Sequence, residues 1–197
     1  MPHSKFNKPY LTGFSLALIC AALTGCATRL SPPTTGYTCC NLRPYYGAVS
    51  SGNMLGGSIL PAGTAVSLEH VKRGRYYGYV GDDYVTLSDD SPRAEGDSPW
   101  IGQVVVQTDP KIEYRTWSPQ VQNAVLSAKV IPGMTKAQVL MALSYPPRDI
   151  TKEMSGKTWR YWTAQEDQIV DINFDADGRV TGFAGKPSAI RAVEFKN

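Results

Sequence analysis

The chain has 197 residues, of which 20 are Lys or Arg and 17 are Asp or Glu, and its formal net charge at pH 7 is +3. This length is enough for one medium domain or two small ones with apolar cores of their own. The basic residues are scattered along the chain rather than clustered, which argues against a nucleic acid as a ligand.

The N-terminus has the pattern of an export signal. Lys5 and Lys8 precede a mostly apolar run over residues 11–23, well short of the roughly 20 residues that a membrane-spanning helix needs. The run leads into the sequence LTGC ending at Cys26, which resembles the lipobox of bacterial lipoproteins. The resemblance implies that residues 1–25 are a signal peptide, that cleavage occurs before Cys26, and that this cysteine carries the lipid.

The residue after the cysteine indicates in which membrane the lipoprotein is anchored. In lipoproteins of this kind an aspartate there is associated with retention at the inner membrane, so Ala27 implies an outer-membrane protein, anchored by its lipid and facing the periplasm. Removal of the signal leaves 18 basic and 17 acidic residues, a formal charge of +1, so no polyanionic partner is expected.

Processing also leaves few residues for redox or metal chemistry. Besides Cys26, the mature chain keeps only the adjacent cysteines Cys39 and Cys40. Their Cα atoms are about 3.8 Å apart across a trans peptide, closer than the roughly 4.4–6.8 Å of ordinary disulfides, so a vicinal ring, a bond to another chain and two free thiols all stay open. His70 has no cysteine or acidic cluster at ligand spacing, and we predict no metal and no cofactor.

The chain after the predicted signal peptide divides into segments of different composition. Residues 26–36 are rich in Pro, Thr and Ser, which is typical of a semi-extended tether. Over residues 37–90 short β-branched and aromatic runs alternate with Gly, Pro and Asp, which predicts a small antiparallel β unit. A connecting segment, 91–117, contains an apolar run at 100–106 that is ambiguous between strand and helix. The β unit is rich in tyrosines, which either pack the sheet or line a binding groove: Tyr37, Tyr45, Tyr46, Tyr76, Tyr77, Tyr79 and Tyr84.

Residues 118–185 carry stronger local signals, and a tail, 186–197, follows them. Ser118-Pro119 predicts the start of one helix, and Thr135 with Gln138 has the form of a capping box that starts a second. Pro146 follows that second helix and ends it. Three strands are predicted after it, over 157–163, 168–174 and 179–183.

A set of ordered residues in this region resembles the SmpA/OmlA domain of the BamE family, small outer-membrane lipoproteins of the β-barrel assembly machinery. The set is Gly133, Met134, Thr135, Gln138, Val139, Leu143, Pro146, Trp159 and Tyr161. The predicted elements give the α+β class, with the small antiparallel β unit followed by a two-helix, three-stranded antiparallel (ααβββ) domain, and the resemblance implies that this second domain is BamE-like. The chain departs from the family at Ser144, where the family usually has glycine, and it lacks the family's aromatic-rich segment just before the first helix.

The motif residues are interpreted mainly as determinants of the fold. Gly133 stands where the backbone needs freedom, and Met134 is placed as the apolar contact ahead of the cap. The better candidates for binding a partner are exposed positions beside the motif, where a Trp next to an Arg is the kind of pair that anchors interfaces. These candidates are Tyr145, Arg148, Arg160 and Trp162.

The sequence carries no convincing catalytic pattern, and we predict that the protein is not an enzyme. The function expected is that of a non-enzymatic outer-membrane lipoprotein, an accessory subunit that binds another envelope protein complex in envelope or outer-membrane protein assembly. The alternative is a lipoprotein that binds peptidoglycan or a peptide through its tyrosine-rich β unit. Fold alone does not decide between the two.

Overall fold

The computed structural model describes residues 27–90, 99–163 and 168–196. The described residues form nine strands and five short helices. In chain order these are β1 Thr28–Thr38, β2 Ala48–Ser50, β3 Ala65–Lys72, β4 Arg75–Val80, β5 Asp83–Ser88, α1 Pro99–Val104, β6 Val105–Val106, α2 Lys111–Tyr114, α3 Pro119–Leu126, α4 Lys136–Leu143, β7 Thr158–Trp162, β8 Ile169–Phe174, β9 Val180–Gly185 and α5 Pro187–Val193.

Six strands form the larger sheet, in the order β2-β5-β4-β3-β1-β6. Strands β3, β4 and β5 make an antiparallel meander, and β1 pairs antiparallel with both β3 and β6. The hairpin between β3 and β4 turns through Arg73 and Gly74, whose φ angles of 50° and 71° are those of a tight turn with two left-handed central residues. Strand β2 pairs parallel with β5, so the sheet is mixed.

The smaller sheet has the order β7-β8-β9 and is antiparallel throughout. Helices α3 and α4 precede it and have well-formed starts. The Ser118 side chain accepts a hydrogen bond from Val121 N, and Thr135 and Gln138 form a reciprocal capping box. Because α3 and α4 have only eight residues each, packing rather than helix propensity has to hold them.

Each sheet has its own apolar core. The core of the larger sheet includes Leu68, Leu87, Val104 and Trp100 from α1. The core of the smaller sheet includes Trp159, Tyr161 and Ile172, and it is covered by residues of α3, α4 and α5. Leu55 and Ala62 come from the N-terminal half of the chain but belong to the second core, so the two parts of the molecule are packed together.

The predicted fold class is wrong. The described chain is mostly β, with a curled, mixed six-stranded sheet, a separate three-stranded sheet and five helices of four to eight residues, which does not fit a small antiparallel unit followed by a two-helix ααβββ domain. The parallel pairing of β2 with β5 makes the larger sheet mixed, and α5 adds a helix after the last strand.

The segment predicted as a tether forms most of β1, because its threonines pair with β3 over Thr28–Tyr37. The predicted signal peptide, residues 1–25, and the predicted lipidation site, Cys26, lie outside the described residues. Among the helices that the structure describes, none combines the length and the apolar character needed to cross a bilayer.

Candidate functional site

The junction between the two sheets is built around two buried asparagines. Asn41 donates from Nδ2 to the carbonyl oxygens of Val125 at 2.6 Å and Ala142 at 3.1 Å, near the ends of α3 and α4. Its own carbonyl oxygen accepts from Ala62 N at 3.0 Å. Val125 O also accepts from Ala128 N at 2.9 Å. The last carbonyls of a helix have no partner within the helix, so at Ala142 O the Asn41 side chain satisfies a group that burial would otherwise leave unpaired.

Asn53 also donates to backbone carbonyl oxygens, at the C-terminal end of α4 and just beyond it. Its Nδ2 donates to Leu143 O at 2.7 Å and to Tyr145 O at 3.0 Å. Two residues further, Leu55 N donates to Trp162 O at 2.9 Å, so the same loop also meets the edge of β7. These contacts fix the backbone on which the predicted partner-binding residues Tyr145 and Trp162 stand.

A cleft with a volume of about 270 Å³ opens beside this junction. On its floor, buried Trp100 of α1 meets Tyr145 and Pro146 of the segment after α4. Arg148, Lys152 and Met154 line its mouth. The structure therefore brings Tyr145 and Arg148, two of the four predicted partner-binding residues, into one site.

Tyr145 is half-buried in the cleft and packs against the core of the larger sheet. Burial raises the pKa of its hydroxyl above the ordinary value, because the charged phenolate is poorly solvated there. The group is therefore neutral at physiological pH. The ring offers a bound segment an apolar face and a polar tip.

Buried Thr151 connects the cleft to β7. Its Oγ1 accepts from Arg160 N at 2.8 Å and donates to Arg160 O at 3.1 Å, so segment 147–151 covers the free edge of the strand. Arg160 consequently lies in a second, wider hollow of about 570 Å³, next to Lys152 and Lys157. Two acidic residues, Asp149 and Glu153, share that hollow, which is therefore mixed in charge.

Arg160 and Trp162 lie on the outer face of the smaller sheet, because Trp159 and Tyr161 turn inward and are 1% and 0% exposed. Arg160 pairs with Asp171 at 3.2 Å through largely solvated side chains. Trp162 is half-buried opposite Ile169 and does not line the cleft. The four candidates thus divide between a cleft and a sheet face.

The motif residues lie mostly in the core. Met134, Val139 and Leu143 are buried, Pro146 lines the cleft, and Gly133 has a φ of +87°. Ser144, where the resembling family has glycine, also has a positive φ of 65°. Its carbonyl oxygen accepts from the Tyr161 hydroxyl at 3.0 Å, which ties this unusual helix end to β7.

Sequence reasoning did not identify Asn41, Asn53, Trp100 or Thr151 as part of the site. An available signal was the isolated polar side chain of Asn41 between Cys40 and Leu42, since an asparagine there has to find partners if its neighbours are buried. The partners of Asn53 and Thr151 are contributed by distant segments, which the local pattern does not reveal.

The outer face of the larger sheet carries a second group of exposed aromatic rings. Tyr79 and Tyr84 are cross-strand neighbours with ring centroids 5.2 Å apart, and they are 44% and 56% exposed. Tyr45 and Tyr46 form another edge-to-face pair at 4.5 Å in the turn before β2. Tyr76, by contrast, points into the core. The tyrosines therefore divide between the core and the exposed surface.

The described ranges contain no cluster of potential metal ligands but do contain a disulfide. Within 27–90, 99–163 and 168–196, no three His, Cys, Asp or Glu side chains come close enough to hold a metal ion. A disulfide joins Cys39 to Cys40, which is the vicinal ring among the three alternatives.

Comparisons of the chain with protein-family models, with curated proteins and with solved structures found no match. The assignment of a function therefore rests on the residues of the chain itself.

Proposed function

We propose that the protein is a non-enzymatic, lipid-anchored accessory protein of the outer membrane that binds another envelope protein through the cleft between its two sheets. The observation that carries the proposal is the convergence of Tyr145 and Arg148 on a cleft whose floor includes Trp100. Aromatic residues and arginine in a preformed hollow are the groups that dominate protein interfaces.

The cleft is held rigidly. Thr151 fixes one wall to β7, and Asn53 holds the backbone at Tyr145. A partner segment that enters it therefore meets a surface that is already ordered, which lowers the entropic cost of binding.

The chemistry of the cleft indicates what the partner presents. The floor of Trp100, Tyr145 and Pro146 suits one apolar side chain, and the cations Arg148 and Lys152 at the mouth suit a carboxylate beside it. We infer that the partner segment carries an apolar residue next to an acidic one.

The proposed lipid anchor determines where the protein is located. The basic start, the short apolar run and the LTGC sequence support lipidation at Cys26, with Ala27 favouring the outer membrane. A lipid on that cysteine places the protein at the periplasmic face of the membrane, where it meets other envelope proteins.

The test is a mild-detergent pull-down of the full-length lipoprotein from its own envelope. Arg148→Glu reverses the charge at the mouth of the cleft without touching either core, and Arg191→Glu makes the same change on the exposed side of α5. We expect a defined membrane complex to co-purify with the wild type and with Arg191→Glu but not with Arg148→Glu. Co-purification that survives Arg148→Glu but is lost with Trp162→Ala would place the interface on the outer face of the smaller sheet instead.

A second candidate function is favoured by the exposed pairs Tyr79–Tyr84 and Tyr45–Tyr46. Exposed rings on a sheet are a surface on which sugar rings or a peptide can stack. If the protein is a wall-binding module, it should sediment with purified peptidoglycan, and a variant with Tyr79→Ala and Tyr84→Ala should lose that sedimentation while Arg148→Glu keeps it.

A further inference from the structure

Four cations, three of them close in the sequence, meet at one end of the larger sheet. In the register of the sheet Lys72 lies opposite Arg75, and Arg73 occupies the turn between them. On the next strand, Arg29 of β1 pairs with His70, two residues before Lys72. The β1–β3 pairing therefore adds a distant fourth cation to the three that the hairpin carries.

All four side chains are exposed, and none belongs to an ion pair with another residue in the part of the chain that the structure describes. Two acidic residues, Asp89 and Asp90, follow β5 at the same end. They accept hydrogen bonds from Ser51 and Ser88, toward the β2 side of the sheet. The side formed by β1, β3 and β4 carries these four cations and one carboxylate, Glu69 of β3, so its net charge is positive.

This positive side lies next to the predicted lipid. Strand β1 starts at Thr28, two residues after Cys26. Two residues span at most about 7 Å even when fully extended. Because Thr28 pairs with Val71, a lipid on Cys26 keeps the β3–β4 hairpin within a short distance of the membrane surface.

We propose that this basic end, formed by Arg29, Lys72, Arg73 and Arg75, docks on anionic phospholipid headgroups, which fixes the orientation of the protein on the membrane. The inference rests on the lipid anchor of the proposed function. Each Lys or Arg held close to an anionic leaflet improves the partition toward that surface roughly fivefold, and the attraction acts over about a Debye length of 8 Å at physiological salt. The short connection from Cys26 to β1 keeps this end of the sheet near the membrane surface.

The experiment uses the mature lipidated protein reconstituted into two sets of vesicles, one of phosphatidylcholine and one of phosphatidylcholine with phosphatidylglycerol. A water-soluble amine-acylating reagent modifies exposed lysines, and mass spectrometry gives the rate at Lys72 relative to that at Lys157, which lies in the loop before β7. We expect the relative rate at Lys72 to fall about fivefold or more in the anionic vesicles and to recover in high salt. Equal ratios in the two vesicle types would overturn the proposal.

Two triple variants distinguish the effect of the basic end from the effect of net charge. A variant with Arg29→Gln, Arg73→Gln and Arg75→Gln keeps Lys72 as the reporter and should lose its protection. The matched variant with Arg115→Gln, Lys186→Gln and Arg191→Gln removes three exposed cations elsewhere and should keep it. If the matched variant loses protection equally, net charge rather than this surface is responsible, and the proposal fails.

The mass of the peptide that contains Cys26 tests the lipid anchor separately from the basic surface. An unmodified Cys26 would refute the lipid anchor. The unlipidated protein would then be tested by flotation with both vesicle types. Binding to the anionic vesicles alone that is lost in the first triple variant would support the basic surface. Absence of binding to either vesicle type would overturn it.

Discussion

Asn41 and Val125 are joined by a hydrogen bond of 2.6 Å from the side-chain amide of one to the carbonyl oxygen of the other. The two residues are 84 positions apart in the chain. One belongs to the segment after β1, and the other lies near the end of α3. A single side chain therefore connects the part of the protein that carries the larger sheet to the helices that cover the smaller one.

Replacement of Asn41 should be strongly destabilising. Asn41→Leu leaves Ala142 O and Ala62 N without their side-chain partner in a buried place and removes one of the two hydrogen bonds to Val125 O, and we expect a loss of about 2–5 kcal/mol in the free energy of unfolding. Urea denaturation measures it. The matched substitution Asn123→Leu, at an exposed position of α3, should change stability by no more than about 0.5 kcal/mol. A loss below about 1 kcal/mol for Asn41→Leu would show that the junction is not held by this side chain.

Trp159 and Trp162 should differ sharply in their effect on stability. The Trp159 ring is 1% exposed, packs against Phe174 and donates from Nε1 to Met154 O at 3.0 Å. Trp159→Ala should therefore cost about 3–5 kcal/mol in the free energy of unfolding. Trp162→Ala, on the half-buried outer face, should cost clearly less. Equal losses in thermal and urea unfolding would contradict the assignment of the two faces of β7.

Stability should fall at alkaline pH, chiefly through Tyr161. Complete burial raises the pKa of its hydroxyl well above the ordinary value, because the phenolate loses its solvation. The unfolded chain releases this proton near pH 10, whereas the folded chain retains it. The contribution is therefore fully present below about pH 10 and is lost as the pH rises from there toward the folded pKa.

Urea unfolding between pH 7 and pH 11 measures this dependence. Tyr161→Phe should reduce the alkaline loss of stability, while costing about 1–3 kcal/mol at pH 7 because Ser144 O loses its hydrogen-bond donor. Tyr145 and Tyr114, whose pKa values burial also raises, leave part of the slope in place. An unchanged slope in the Tyr161→Phe variant would show that this hydroxyl is not buried.

Gly78 should not tolerate a side chain. It lies inside β4, where a Cβ atom would stand 2.1 Å from Ser67 O and 2.6 Å from Leu68 Cα, and both neighbours are backbone atoms that cannot move aside. We expect Gly78→Ala to destabilise the protein by about 2–4 kcal/mol or to abolish its folding. Gly182→Ala in β9 is the matched control, because nothing lies within 4 Å of the added methyl group. Comparable melting temperatures for the two variants would contradict the close approach of β3 and β4.

Local signals in the sequence located the elements whose determinants are adjacent in the chain. The start of α3 at Ser118 and the capping box of Thr135 and Gln138 are confirmed, because a cap depends on residues within four positions. The fold class was wrong because architecture depends on pairing between distant segments. Nothing local predicts that β2 pairs parallel with β5 rather than antiparallel with a neighbour.

Composition was a poor guide for β1. A segment rich in Pro, Thr and Ser predicted a tether, yet Thr34 and Thr35 pair with Leu68 and Ser67 of β3. Threonine is β-branched and suits a strand as well as it suits an extended linker. The pairing partner decided between the two, and it lies about thirty residues away.

The candidate site was predictable only in part, for the same reason. Tyr145 and Arg148 follow α4 directly and are close in sequence, so both were identified. Trp100 and Ser51, which complete the cleft, come from other segments. Likewise, Lys72, Arg73 and Arg75 are close in the sequence, but only the register of β1 on β3 brings Arg29 beside the hairpin.

The place of β1 within its sheet also constrains the order of assembly. This first strand lies between β3 and β6, so it pairs on one side with residues up to Val71 and on the other with Val105 and Val106. When the chain emerges N-terminus first, β1 can therefore pair only with β3 until Val105 and Val106 of β6 have also emerged. Such non-local closure slows folding and prolongs the exposure of an unpaired edge. Premature release of a truncated chain that ends before β6 should accordingly favour aggregation over a partly folded domain.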